Sequence, residues 1–136
     1  MTMNQDIQKI FDSYPTDAQQ RLIQIRELIH GLVAELELGP CDETLKWGEP
    51  SYSVKSGSPI RLGWKEKHPE RVSIFFNCNT KLIATFREVY SGLLEFEGNR
   101  ELILPLYRPL PLAELKHCLQ LALTYKIVKD LPLLGG

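Results

Sequence analysis

Cysteine is scarce. Cys41, Cys78 and Cys118 are the only three in 136 residues, they lie far apart, and no CxxC pair occurs. That excludes a disulfide framework and a zinc knuckle as the organising device. Long apolar runs are missing too; none approaches the roughly 20 residues that a membrane span requires. The opening Met1-Thr2-Met3-Asn4-Gln5-Asp6 has neither a basic region nor an apolar stretch. It therefore does not read as a secretory signal, and a cytoplasmic protein is expected. No P-loop, GxGxxG, GxSxG or HExxH occurs, and nothing marks a carboxylate pair as an acid–base couple. Internal repeats, low-complexity tracts and linkers are also missing, so residues 1–136 are read as a single domain.

The net charge is only −1, and it is unevenly spread. Residues 1–45 carry three basic and eight acidic side chains, whereas residues 46–71 carry six basic and three acidic ones. Two solvated faces would account for this. A functional reading makes the first third a surface for cations and the second a basic strand region facing an anion. The overall balance gives no support for a nucleic-acid partner, which leans on many phosphate contacts.

The apolar period is helical at first. Asn4 can cap a short helix carrying Ile7, Ile10, Phe11 and Tyr14, ended by Pro15. Thr16 then opens a longer helix with Gln19 as its capping-box partner, Leu22, Ile25, Ile29, Leu32, Val33 and Leu36 on one face, and Gly39-Pro40 as its stop. Asp42 is expected to cap one helical turn through Leu45. After that the period becomes two. Ser51–Lys55, Ile60–Trp64 and Val72–Phe76 read as three antiparallel strands, with Arg61 out of phase with Ile60, Leu62 and Trp64 and so on the opposite face. Helical spacing returns at Leu82, Phe86, Val89 and Tyr90, up to Gly92. Leu93–Glu97 and Arg100–Leu104 flank Gly98-Asn99, a pair suited to a two-residue hairpin. Leu112–Lys129 reads as one last helix with Leu115, Cys118, Leu119 and Ala122 inward, and the tail Leu131–Gly136 as cover for an apolar edge. The expected order is ααβββαββα: an α+β fold with a five-stranded, mostly antiparallel sheet under helices.

The densest local signal is Leu45-Lys46-Trp47-Gly48-Glu49-Pro50-Ser51-Tyr52. Proline fixes its own φ and extends the residue before it, and glycine permits angles that other residues avoid. A rigid turn presenting Lys46, Trp47 and Tyr52 follows. Lys46-Trp47-Gly48-x-Pro50-x-Tyr52 resembles the signature of the YdhG-like family, a bacterial group of unknown function. Phe11-x-x-Tyr14-Pro15, Lys67-His68, Phe75-Phe76 and Glu97-Gly98-Asn99-Arg100 extend the resemblance over most of the chain. It implies an α+β fold with an antiparallel sheet, and some relatives are described as frataxin-like intracellular iron chaperones. The chain departs from the pattern at Pro69-Glu70, which lengthens the loop after His68, and at Asn79, where relatives often carry glycine.

Several candidate sites follow. In the first, Lys46, Trp47 and Tyr52, with Trp64 and His68, frame an aromatic cleft for a small anionic or aromatic ligand, since pockets are commonly apolar with a few convergent polar groups. The alternative is that Trp47 plugs the core and Lys46 snorkels. In the second, Glu35, Glu37, Asp42 and Glu43 cluster at a helix end and offer hard oxygen ligands to weakly bound iron. The alternative there is a solvated acidic face. A third, an enzyme using Cys78 or His68, needs a second polar group within reach. Cys118, on the apolar stripe, reads as a small buried hydrophobe rather than a metal partner for His117. The leading expectation is a non-enzymatic domain binding a small molecule or protein, with iron delivery as the alternative. Ligand identity and oligomeric state are not fixed by these patterns.

Overall fold

The computed structural model describes residues 3–135, so Gly136 of the tail lies outside the described residues. Two helices come first, α1 (Gln5–Asp12) and α2 (Thr16–Glu35). Asn4 caps α1 as expected, its Oδ1 accepting from the Asp6 N–H at 2.7 Å. The capping box expected at Thr16 does not form: Pro15 holds the cap position and no side chain caps α2. The far end of α2 closes in a Schellman turn. Leu38 N–H donates to the Val33 carbonyl and Glu37 N–H to that of Ala34. The left-handed position such a turn requires is taken by Glu37, at φ 53°, instead of glycine.

The next segment corrects the expected strand count. Asp42–Lys46 is not a helical turn but a strand, β1, paired with β2 (Glu49–Ser53) from Asp42↔Ser53 to Lys46↔Glu49. Trp47 (φ 55°) and Gly48 (φ 76°) form the two-residue loop between them, both left-handed, as the twist of such a hairpin demands. Then follow β3 (Ile60–Trp64), β4 (Arg71–Phe76), α3 (Leu82–Val89), β5 (Glu95–Glu97), β6 (Glu101–Pro105), α4 (Leu112–Leu123) and α5 (Tyr125–Val128). The fold is α+β, with one open antiparallel sheet of six strands in the order β1-β2-β3-β4-β6-β5. The β5–β6 hairpin closes through three residues, Gly98–Arg100, because Glu97 pairs with Glu101 and the Arg100 carbonyl goes to Phe76 of β4.

All helices share one face of the sheet. Tyr52, Ile60, Leu62, Val72, Ile74, Phe76, Leu102 and Leu104 point into one buried cluster with Ile7, Phe11, Leu22, Ile25, Ile29, Phe86, Leu115, Cys118 and Leu119. The sequence places Pro50 in β2 with its nitrogen turned toward β3. With no N–H to give there, the β2–β3 ladder registers only Ser51↔Arg61 and Tyr52↔Ile60.

The expected single C-terminal helix breaks at Thr124. The β2–β3 loop takes over the last carbonyls of α4: Ser58 N–H donates to Ala122 at 2.9 Å and Ser56 Oγ to Leu123 at 2.7 Å, while Ser56's own carbonyl accepts from Lys126 N–H. Gly57 sits in this junction, where a Cβ would lie 2.6 Å from the carbonyl oxygens of Ala122 and Leu123. Of the tail expected to cover an apolar edge, Leu134 is buried, whereas Leu131 and Leu133 are exposed.

Candidate functional site

The residues expected to frame one cleft are dispersed. Trp47 stands at the β1–β2 tip and is 90% exposed, whereas Tyr52 is fully buried under α2. Strand alternation explains Tyr52; the position of Trp47 in the turn explains its exposure. Trp64 ends β3 at the far side, its ring 5.9 Å from that of Tyr14 and its Nε1 donating to the Pro69 carbonyl. His68 lies in the following loop, 3.9 Å from Glu70 and beside Lys65 and Arg71. The aromatic cleft as expected is therefore not assembled, and of its residues Lys46 alone reaches a cavity with ligand-binding character.

That cavity, about 240 Å³, lies on the sheet face away from the helices and is lined by Lys46, Ser51, Arg61, Phe75, Cys78 and Arg100, among others. The registers place Thr44, Ser51, Arg61, Phe75, Glu101 and Glu97 in one row across all six strands of that face. Arg61, expected on this face, stacks its guanidinium 4.9 Å from the centre of the Phe75 ring. Lys65 Nζ approaches the same ring at 5.1 Å. Phe75 is consequently only 5% exposed although no helix covers it. Cations lying over an aromatic face are held there by the ring quadrupole. Glu49 bonds Arg61 at 2.8 Å, and its carboxylate lies over Gly63, where any side chain would collide with it. Lys46 and Arg100 have no ion-pair partner among the described residues, and no carboxylate lines the cavity. The cavity thus gathers one oriented guanidinium, two cations without an ion-pair partner among the described residues, and an apolar floor, a composition chemically suited to an anion.

Neither Phe75 nor Arg100 was singled out from the sequence as a binding residue. Arg100 sits in a hairpin loop that the strand pairing folds back beside Asn77-Cys78, where Asn99 Nδ2 donates to the Cys78 carbonyl. Nothing local in the sequence signals that return. Cys78 is exposed. No histidine lines the cavity beside its thiol, which leaves the nucleophile reading without its base.

The acidic set does not come together either. Glu43 points to the helix side and is held by Arg26 of α2 through two hydrogen bonds, 2.5 and 2.9 Å. Glu37 closes the Schellman turn and Asp42 lies on the open face of β1. Among the described residues no group of three or more His, Cys, Asp or Glu side chains is placed to hold a metal ion.

Glu43 instead anchors a buried polar cluster. Burial works to raise its carboxyl pKa, but the Arg26 hydrogen bonds overcome this and hold it below the usual carboxylate range. The same bonds raise Arg26 further. His30 Nε2 is 3.9 Å from the Glu43 carboxylate, yet burial and then the Arg26 charge lower the imidazole pKa, outweighing that carboxylate. The His30 ring meets Tyr52 edge-on at 5.6 Å. Burial first, then Glu43, pushes the Tyr52 phenol up. Tyr52 Oη feels Glu43 and Arg26, but neither meets it in hydrogen-bonding geometry; it and His30 Nε2 are buried without a partner. The sequence does carry a signal for this cluster: Arg26 interrupts the apolar face of α2, between Leu22 and Ile29.

Cys118 is fully buried, and burial pushes its thiol up to about 12, which suits the hydrophobe that the spacing suggests. His117 turns away and shares a hydrogen bond with Tyr90 Oη, linking α4 to the end of α3. No helix among the described residues is long and apolar enough to cross a membrane. Comparison of the chain with family models, curated proteins and solved structures finds no significant match.

Proposed function

We propose that the chain is a YdhG-like, non-enzymatic cytoplasmic domain that binds a small anion bearing phosphate or carboxylate groups. The ligand sits on the open sheet face between Lys46, Arg61 and Arg100. The observation that carries the reading is the composition of that cavity: three cations, none of its lining residues a carboxylate, and an aromatic floor that fixes one of the cations in place. Guanidinium groups suit planar, two-point recognition of carboxylate or phosphate oxygens, and Lys46 adds a mobile point charge. An α+β fold with an antiparallel sheet is also what the family resemblance implies.

Isothermal titration with pyrophosphate and with citrate at low ionic strength tests it. Saturable binding is expected, weakened about tenfold or more by Arg100→Gln and by Lys46→Gln. Lys116→Gln, on α4, is expected to leave it unchanged. No heat with either anion, or equal loss in all three variants, overturns the reading.

A further inference from the structure

β1 is one of the two edge strands of the sheet, the other being β5. In a hairpin with a two-residue loop, Lys46 and Glu49 exchange both backbone hydrogen bonds. Alternation then turns the N–H and C=O of Asp42 and Thr44 toward β2 and those of Glu43 and Leu45 outward. No backbone hydrogen bond from a described residue reaches those outward groups. Edge strands are usually blunted by proline, a bulge, an inward-pointing charge or a covering element. Here the inward charge, Glu43, is neutralised by Arg26, and the start of α1 lies beside Glu43–Leu45 without bonding to their backbone. β1 contains no proline, and its pairing runs without a bulge from Asp42 to Lys46. Thr44 is exposed, and so are Leu45 and, beside the edge, Trp47.

We infer that this edge pairs with β1 of a second copy, antiparallel, with the two-fold axis at Thr44. Outward groups must meet outward groups, so an axis on the strand's interior can fall at residue 43, 44 or 45. An axis at 43 sets Glu43 against its own copy. An axis at 45 sets Lys46 against Thr44 and Asp42 against Gly48, matching no charges. An axis at 44 sets Asp42 against Lys46 of the second copy twice, and joins Glu43 to Leu45 through four backbone hydrogen bonds. Asp42, Thr44 and Lys46 alternate onto the same face, so both ion pairs flank a Thr44–Thr44 contact. On the helix face, the two Leu45 side chains become diagonal neighbours. In the same register Trp47 falls opposite Cys41, next to Pro40, which gives that indole an apolar surface to cover. The result is one continuous sheet of twelve strands, closed by symmetry.

Lys46 lines the basic cavity and is shared with the anion reading, but Asp42 and Thr44 do not line it, so Asp42→Lys and the Thr44→Cys cross-link test the pairing alone. Sedimentation equilibrium of the full chain at low salt tests it. A concentration-dependent dimer is expected. Asp42→Lys and Lys46→Asp each put like charges face to face and are expected to weaken the dimer on the order of tenfold. The chain carrying both substitutions restores the opposite charges and is expected to regain it. Thr44→Cys in a Cys78→Ser chain is expected to cross-link under mild oxidation, since side chains of a non-hydrogen-bonded pair lie close. A monomer at every concentration overturns the inference. So does a dimer indifferent to either reversal or not rescued by the pair, or a Thr44→Cys chain that stays uncross-linked.

Discussion

Arg26 grips Glu43 through two hydrogen bonds, 2.5 and 2.9 Å long, with side chains only 8% and 10% exposed. The pair ties α2, the longest helix among the described residues, to the edge strand β1. Breaking such a pair leaves a buried charge without compensation, which is far worse than removing both partners. Glu43→Gln is expected to destabilise the protein by about 3 kcal/mol, and Arg26→Met combined with Glu43→Leu by much less. Urea denaturation of the two variants checks this.

The same cluster sets a pH dependence. His30 and Glu43 both have folded-state pKa values below their unfolded ones. In each case the unfolded chain takes up a proton first as pH falls, so stability is lost on acidification. The His30 contribution is complete above the ordinary imidazole value near 6.5 and declines below it. The Glu43 contribution is complete above the ordinary carboxyl value near 4.5 and is lost as pH falls through its lower folded value. Denaturation midpoints between pH 7.5 and 5.5 are expected to fall, and His30→Gln is expected to flatten that slope. A midpoint that rises as pH falls over this range contradicts the assignment.

Gly57 lets the β2–β3 loop approach the backbone of α4 closely. A methyl group there would press on the backbone carbonyls of Ala122 and Leu123 at 2.6 Å, and backbone cannot step aside as a flexible side chain can. Gly57→Ala is expected to destabilise by about 2 kcal/mol through overpacking and to loosen the bonds of Ser56 and Ser58 to α4. Thermal unfolding gives the first effect. Faster amide exchange at Ser58 and Lys126 gives the second.

Much of this architecture is legible in the residues themselves. The Asn4 cap, the inward stripe of α4, the strands at Ile60–Trp64 and Val72–Phe76 and the outward position of Arg61 follow from period and punctuation alone, whereas the strand expected at Ser51–Lys55 lies two residues earlier, at Glu49–Ser53. Asp42–Leu45 misleads because Asp-Glu-Thr reads locally as a helix start. Its fate is decided by Arg26, seventeen residues earlier in the chain, which draws Glu43 inward and so fixes the alternation of β1. Trp47-Gly48 hides a hairpin because tryptophan is a rare occupant of a left-handed turn position. The basic cavity is half legible. Lys46 and Arg61 sit in the basic stretch, but Arg100 and Phe75 join them only because β4 pairs with both β3 and β6. That is long-range pairing, with no local signature.

Pro50 has one more effect. The inner strands are stitched by five residue pairs at β3–β4 and five at β4–β6, whereas β2 is joined to β3 by two. The sheet therefore has a seam. β1 and β2 form a leaf clasped to the body by the burial of Tyr52, the grip of Arg26 and the Glu49–Arg61 bond across the seam, and local opening favours the line with fewest backbone bonds. That seam runs between Ser51 and Arg61, through the middle of the basic cavity, so whatever settles across it also staples the leaf shut.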